Sequence, residues 1–185
     1  MELTDRYDVL KSKVINRKKE FDRFIEFIEE ETTWLISPAS TKYHLNREKG
    51  LLEHSLNVTD MLLKLKETLA PRIDNESCII VGLFHDAGKL GFPGKPYYIP
   101  NENKWEAENR NIKYKINPSL VTMGIAVRSL YLVSKYISLS DEEAQAIVYH
   151  DGQYITDNAS VKHKEVPLTL LVHFADLWAS SILEK

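Results

Sequence analysis

At 185 residues, with 43% hydrophobic and 28% charged side chains and a net charge of −3, the chain has the size and composition of one soluble globular domain with a core and a ligand pocket. No apolar run approaches the ~20 residues of a membrane span, and without a strong basic excess a protein that tracks long nucleic acid is disfavoured. Small anions are therefore the expected ligands, and no membrane partner is expected.

The N-terminal Met1-Glu2-Leu3-Thr4-Asp5-Arg6 lacks the basic-then-apolar layout of a secretory signal, and Cys78 is the only cysteine. No intrachain disulfide is possible, and a cytoplasmic location is expected. Residues 5–35 carry Tyr7, Leu10, Val14, Phe21, Phe24, Ile25 and Ile28 three to four apart among charges, which predicts amphipathic helix. Ser37-Pro38-Ala39-Ser40 interrupts it, because proline removes a donor and biases the residue before it away from helix. A second helix is predicted from Leu51 to Leu69, with His54, Val58, Met61, Leu62 and Leu65 along one broad side and Pro71 beyond its end. His54 therefore points inward.

Asp74 or Asn75 can cap a third helix through Ile79, Ile80, Leu83 and Phe84. Its C-terminal end delivers His85 and Asp86, where Gly88 lets the chain turn. Cys78, among apolar neighbours, reads as a buried structural thiol. From Gly91 to Asn117, Pro93-Gly94, Pro96, Pro100 and many Asn predict an irregular excursion or a small hairpin through residues 95–99. Lys89, Lys95, Lys104, Arg110, Lys113 and Lys115 form a solvated loop or an anion-collecting rim.

Helix resumes from Ser119 to Tyr136, and Ser140-Asp141-Glu142-Glu143 reads as a capping box opening a helix that runs to His150. Pro167 can start the last helix, where His173 and Asp176 lie three apart on one face. With no internal repeat and few credible strands, the fold class is all-α.

The densest chemistry lies in Leu83-Phe84-His85-Asp86-Ala87-Gly88-Lys89. An adjacent imidazole and carboxylate can bind one cation, and the lysine can bring positive charge to an anion bound there. Two more apolar helical runs carry polar ligand types: Gly50-Leu51-Leu52-Glu53-His54-Ser55-Leu56 and Leu170-Leu171-Val172-His173-Phe174-Ala175-Asp176. A buried charge is costly unless paired or metal-bound, so His54, His85, Asp86 and Asp176 converging on one cation would account for all three intrusions.

The order His, His-Asp, distant Asp resembles the HD-domain phosphohydrolase superfamily, with His54 first, His85 and Asp86 as the doublet, and Asp176 last. The likeness covers roughly residues 38–180. Pro38-Ala39-Ser40 through Tyr43-His44 to Gly50-Leu51-Leu52-Glu53-His54-Ser55 is similar to the approach to the first ligand helix in many members. His85-Asp86-Ala87-Gly88-Lys89 has the commonest family form of the doublet. The resemblance implies a single domain over residues 1–185, a helical bundle with an N-terminal helical segment (1–36), a core at 38–180 and an irregular or hairpin insertion at about 91–117.

Two imidazoles and two carboxylates suit one divalent transition ion, Mn²⁺, Fe²⁺, Co²⁺, Ni²⁺ or Zn²⁺, whereas Mg²⁺ prefers more oxygen. Lys89 is the candidate for neutralising transition-state charge, or else a surface lysine after a helix end. Asp86 can double as ligand and proton acceptor for the attacking water. His150 resembles a later family histidine placed near substrate or a second metal; the alternatives are a helix-ending or core histidine. His44 and Arg47 are candidate phosphate contacts, and Lys95 is placed with them. Arg128, inside an apolar helix, could reach phosphate or pair with Asp86 or Glu53. His163 is expected at the surface, and His173 beside Asp176 or in the core. Members with two metals commonly carry a Gly-His pair where this chain has Gly124-Ile125. One metal is therefore expected, which argues against the two-iron oxygenases and the cyclic-dinucleotide phosphodiesterases of the superfamily.

The leading expectation is a hydrolase that cleaves a phosphate ester of a small nucleotide or deoxynucleotide. Tyr97, Tyr98, Trp105 and Tyr149 are available to stack on a base or simply to pack. The alternatives are a phosphodiesterase or nuclease on RNA or single-stranded DNA, and a non-catalytic sensor of nucleotide and metal. The oligomeric state stays open.

Overall fold

The apolar spacing of residues 5–35 produces two helices in place of one: α1, Leu3–Ser12, and α2, Lys18–Glu31. No glycine or proline makes the break. A carboxylate from elsewhere in the chain takes the amides a continuous helix would use: Glu76 accepts from the backbone N–H of Ile15, Asn16 and Arg17 at 2.9, 2.8 and 3.1 Å. Arg17 completes the corner, its Nε 2.9 Å from Glu76 and its two terminal nitrogens each 2.7 Å from Glu143. The computed structural model describes residues 2–185, the side chain of Tyr154 apart; Met1, first residue of the expected N-terminal segment, lies outside them.

Helix α3, Gly50–Leu69, runs through the middle of the molecule, packed on α4, Asn75–Phe84, and on α8, Pro167–Trp178. Its start needs glycine, because a Cβ on Gly50 would lie 2.0 Å from the Leu45 carbonyl oxygen. Asp74 caps α4 by accepting from the Glu76 N–H. Every side chain of α4 from Cys78 to Phe84 other than Gly82 is fully buried and apolar, as expected of a helix enclosed on all sides. Gly82 lets α3 close on it, since a Cβ there would meet Thr59 at 2.6 Å.

Beyond α4 a 3-10 turn spans Ala87–Leu90. The reversal expected at Gly88 occurs three residues later at Gly91, where φ is +79°. Gly88 is needed for space, its hypothetical Cβ falling 2.1 Å from the Ile125 carbonyl oxygen. The excursion that follows holds β1, Tyr98–Pro100, α5, Lys104–Asn109, and β2, Tyr114–Ile116. β1 and β2 pair antiparallel with Tyr98 opposite Ile116, so the hairpin is wider than residues 95–99 alone.

Helix α6 begins at Ile125, not Ser119, and ends at Ser134. The Arg128 guanidinium binds the Met123 carbonyl at 3.0 Å, holding residues before α6 outside the helix. The expected capping box opens α7, Asp141–Tyr149, with both reciprocal bonds between Ser140 and Glu143 present. Pro167 occupies the first turn of α8, and the chain leaves α8 through a π turn, Ala179–Leu183. The fold is all-α apart from the β1–β2 pair.

One hydrophobic cluster runs from Tyr7 to Ala179. At its centre Phe84 meets Phe24 edge-on at 4.8 Å and Phe21 at 5.6 Å, pairs that add about 0.5–1.5 kcal/mol each beyond their burial. Since Phe84 precedes His85, this packing fixes where the His-Asp doublet emerges. Among the described residues no helix is long and apolar enough to cross a membrane.

Burial pushes the Glu76 and Glu143 carboxyls up, but hydrogen bonds from Arg17 and from backbone amides outweigh it and hold both below the usual carboxyl range. Their stabilisation is therefore present above about pH 4.3, the unfolded-state value, and is lost as the pH falls through the lower folded-state values. Glu76→Gln is expected to cost about 2 kcal/mol at neutral pH, read as a lower denaturant midpoint. The loss relative to the parent chain should shrink as both are acidified below pH 4.

Candidate metal centre

Four side chains from three helices meet inside the molecule. His54 comes from the first turns of α3, His85 and Asp86 from the end of α4, and Asp176 from α8. The Nε2 atoms of His54 and His85 are 3.3 Å apart; His54 Nε2 lies 3.2 Å from Asp176 Oδ1; and Asp86 Oδ2 lies 3.6 Å from both Nε2 atoms. Donors bound at about 2.0–2.2 Å around one cation stand roughly 3.0–3.6 Å from each other. These four separations have that spacing, and the donors fall into two overlapping groups within 4.8 Å of one another, His54, His85 and Asp176, and His85, Asp86 and His150.

The hydrogen bonds of the imidazoles assign their tautomers. His85 Nδ1 donates to the Gly82 carbonyl at 2.9 Å, and His54 Nδ1 donates to the Glu184 carboxylate at 3.0 Å. Each ring thereby turns its Nε2 toward the same point. Two facing lone pairs repel unless a cation or a proton lies between them, so the donor set fits a divalent metal.

Electrostatics agree. Burial pushes His85 down to about 4, leaving it neutral. Burial also opposes charge on His54, but hydrogen bonds to Asp176 and Glu184 outweigh it and raise that group to about 9. Burial would raise Asp86 as well, yet Lys89, its Nζ 2.6 Å from Asp86 Oδ2, and the surrounding histidines hold the carboxyl far below the usual range. Asp176 is held down in the same way, against burial, chiefly by His54.

A cavity of about 310 Å³ opens on the cluster, lined also by His44, Lys89, Ile125 and His150. The expected substrate-side residues divide. His150, at the end of α7, is buried, donates from Nδ1 to the Ile147 carbonyl at 2.8 Å and holds Nε2 3.7 Å from Asp86 Oδ1. His44 is half-buried, with Nδ1 3.3 Å from Glu184. A second hollow of about 470 Å³ shares Lys89, His44 and Ser180 with the first and adds Ser40, Tyr43 and Tyr98.

Three residues are not brought there. Arg47 is exposed and pairs with Glu53. Lys95 is exposed on the loop and bridges to Phe92 through its backbone. Arg128 is fully buried, but Gly88 and Met123 carbonyls each take one of its nitrogens at 3.0 Å, with the Tyr97 ring 5.0 Å away. It fastens α6 to the turn that carries Lys89, and neither Asp86 nor Glu53 is its partner. A guanidinium spent on backbone carbonyls lines neither hollow. Lys104, Arg110 and Lys113 are exposed, and Lys115 pairs with Glu102, so the loop cations form a solvated face. Trp105 is exposed, and Tyr149 lines a separate hollow of about 400 Å³ with His173 and Phe174. His163 is at the surface, and His173 donates to the His150 carbonyl at 2.8 Å.

Sequence reasoning missed Glu184 and Asn57. Glu184 is buried and accepts from His54 and from Asn57 Nδ2 at 3.0 Å. A lone glutamate after an apolar turn carries no local signal of such a role.

An all-helical fold that gathers His, His-Asp and Asp around one buried point defines a metal-binding class. The family model described as HD domain matches residues 51–178, and the chain belongs to that family, whose members are mostly metal-dependent hydrolases that bind divalent ions. No curated protein and no solved structure matches the chain.

Metal and proton compete for Nε2 of His54. Apparent affinity for Mn²⁺ is expected to rise about tenfold per pH unit between roughly pH 7 and 9 and then flatten. Calorimetry in buffers of different ionisation enthalpy should show about one proton released per metal bound at pH 7.

Proposed function

We propose that the chain is a phosphohydrolase that uses one divalent transition metal to cleave a phosphate ester of a small nucleotide or deoxynucleotide with water. The observation that carries this reading is the place of Lys89. Its ammonium touches the proposed metal ligand Asp86 and forms part of the wall of both hollows, where it can meet a phosphate whose ester group extends into the larger one.

His54, His85, Asp86 and Asp176 would hold the metal, which when bound supplies a water of lowered pKa and polarises phosphorus. The rest of the chemistry belongs to the chain. Lys89 neutralises charge on the non-bridging oxygens, a contribution of positioning and fixed charge that phosphoryl transfer depends on. His150 has its Nδ1–H engaged by the Ile147 carbonyl, so Nε2 is the nitrogen that can accept the proton of the attacking water. Asp86 Oδ1 lies 3.7 Å from that nitrogen and favours the imidazolium that forms.

The hollow of about 470 Å³ is within the range of ligand pockets, roughly 300–1,000 Å³. Tyr98 presents the ring on which a base can stack, with Ser40 and Tyr43 as polar contacts. Ile125, an apolar residue with no metal-binding atom in its side chain, lines the cavity, which supports one metal over two.

The test is phosphate release from a panel of nucleoside mono- and triphosphates by the Mn²⁺- or Co²⁺-loaded protein. Asp86→Ala is expected to lose both metal and hydrolysis. Lys89→Ala is expected to keep its metal while kcat falls about 10²–10³-fold. Silence across the panel with metal bound would overturn the reading, and loss of metal in Lys89→Ala would make that lysine structural.

A further inference from the structure

We infer that Glu184 is a positioning residue for the metal centre: its carboxylate takes the Nδ1 hydrogen of His54 and so aims the Nε2 lone pair of that ligand at the cation. The inference rests on the proposed metal site. It concerns a residue beyond the segment matched by the family, which ends at residue 178.

A carboxylate withdrawn from water is costly unless its lone pairs are taken up. Glu184 is 9% exposed, and its partners are specific. The two oxygens lie 3.1 and 3.0 Å from His54 Nδ1; Oε1 also accepts from Asn57 Nδ2 at 3.0 Å, and Oε2 lies 3.3 Å from His44 Nδ1. His54 and Asn57 are three apart on α3, so one helix face presents both donors. The carboxylate is held from two sides and cannot rotate away from the imidazole without losing a hydrogen bond.

The backbone is shaped to bring it there. Asp176 and Glu184 are eight residues apart, which in a regular α-helix puts them roughly 80° from each other around the axis. Between them lies the π turn, Ala179–Leu183, closed by the Glu184 N–H on the Ala179 carbonyl at 3.1 Å. The extra residue in a π turn removes most of that offset. One helix and its π extension thus deliver two carboxylates to opposite nitrogens of one imidazole: Asp176 at Nε2, 3.2 Å away, and Glu184 at Nδ1.

The tautomer depends on this division. With Nδ1–H committed to Glu184, it is Nε2, facing His85 and Asp176, that gives up its proton and offers its lone pair to the metal. Without Glu184 the ring can instead carry its hydrogen on Nε2 and donate to Asp176, which blocks the ligand atom. A carboxylate on the remote nitrogen also raises the basicity of the ligating one.

The experiment is Co²⁺ titration of the full chain, followed by calorimetry and visible absorption, for the parent, Glu184→Ala, Glu184→Gln and His54→Ala. Thermal midpoints in chelator are measured alongside. Glu184→Ala is expected to weaken Co²⁺ binding about 10–100-fold, and Glu184→Gln, which keeps a neutral acceptor, less, by about three- to tenfold. A purely structural role would lower the midpoint in chelator and leave the affinity of the folded protein unchanged; affinity within about twofold of the parent in Glu184→Ala overturns the inference. If Glu184→Ala does not fold, Glu184→Gln decides, and parental affinity there overturns it. His54→Ala separates the two levels: Co²⁺ binding at parental strength removes the site and the inference together, whereas weakened binding there beside parental affinity in Glu184→Ala removes only the role of Glu184.

Discussion

Two imidazole nitrogens 3.3 Å apart, each ring held on its far side through Nδ1, are an arrangement an apolar interior does not adopt for packing. Holding them face to face requires both rings to be clamped from behind, and the clamps are of different kinds. His85 is held by its own helix, through the Gly82 carbonyl three residues earlier. His54 is held by a carboxylate 130 residues further along the chain. Local geometry therefore fixes one ligand, and the other becomes fixed only once the C-terminal helix has docked.

That dependence shapes the rest of the structure. α3 carries His54 and must close on α4, which carries the doublet, and the approach at Gly82 against Thr59 leaves no room for a side chain. α8 must pack on α3 for Asp176 and Glu184 to arrive. On the opposite side of the molecule Arg17, Glu76 and Glu143 tie the α1–α2 corner to α4 and α7, with Glu76 accepting four hydrogen bonds. Buried ion pairs are weak contributors to net stability, but removing one partner is expensive. Here the network fixes the register of α4, and α4 ends in the candidate ligands.

Much of this was legible in the sequence because it follows from short-range rules. The inward face of α3, the Asp74 cap, the capping box at Ser140 and Glu143, and the proline start of α8 each depend on residues within one or two turns. The same holds for the doublet as part of a cluster of metal-ligating types. What escaped depends on distant partners. The break between α1 and α2 has no local breaker and is made by Glu76, about sixty residues away. The late start of α6 comes from Arg128 taking a carbonyl that would otherwise have invited helix, and the same engagement removes that arginine from the phosphate role its position suggested. Glu184 is the clearest case: its importance depends on a π turn, and helical spacing counted from Asp176 places it on the wrong face.

The spacing from His85 to Lys89 also has a physical reading. His85 and Asp86 fall where α4 tightens into a 3-10 turn, and in such a turn residues three apart lie one above the other. Lys89 therefore stands over Asp86, its Nζ 2.6 Å from the carboxylate, with no long-range contact needed to put it there. Gly88, just before Lys89, is constrained from the other side. α6 passes so close that Gly88 has no space for a Cβ, and its backbone is gripped at both ends, the N–H by Ser129 Oγ at 2.8 Å and the carbonyl by Arg128 at 3.0 Å. A lysine on a free loop would be a solvated charge. Clamped through Gly88, it becomes a fixed positive group at the junction of two hollows. Glycine at 88 and lysine at 89 thus act together, since the absence of a side chain at one lets α6 hold the other in place.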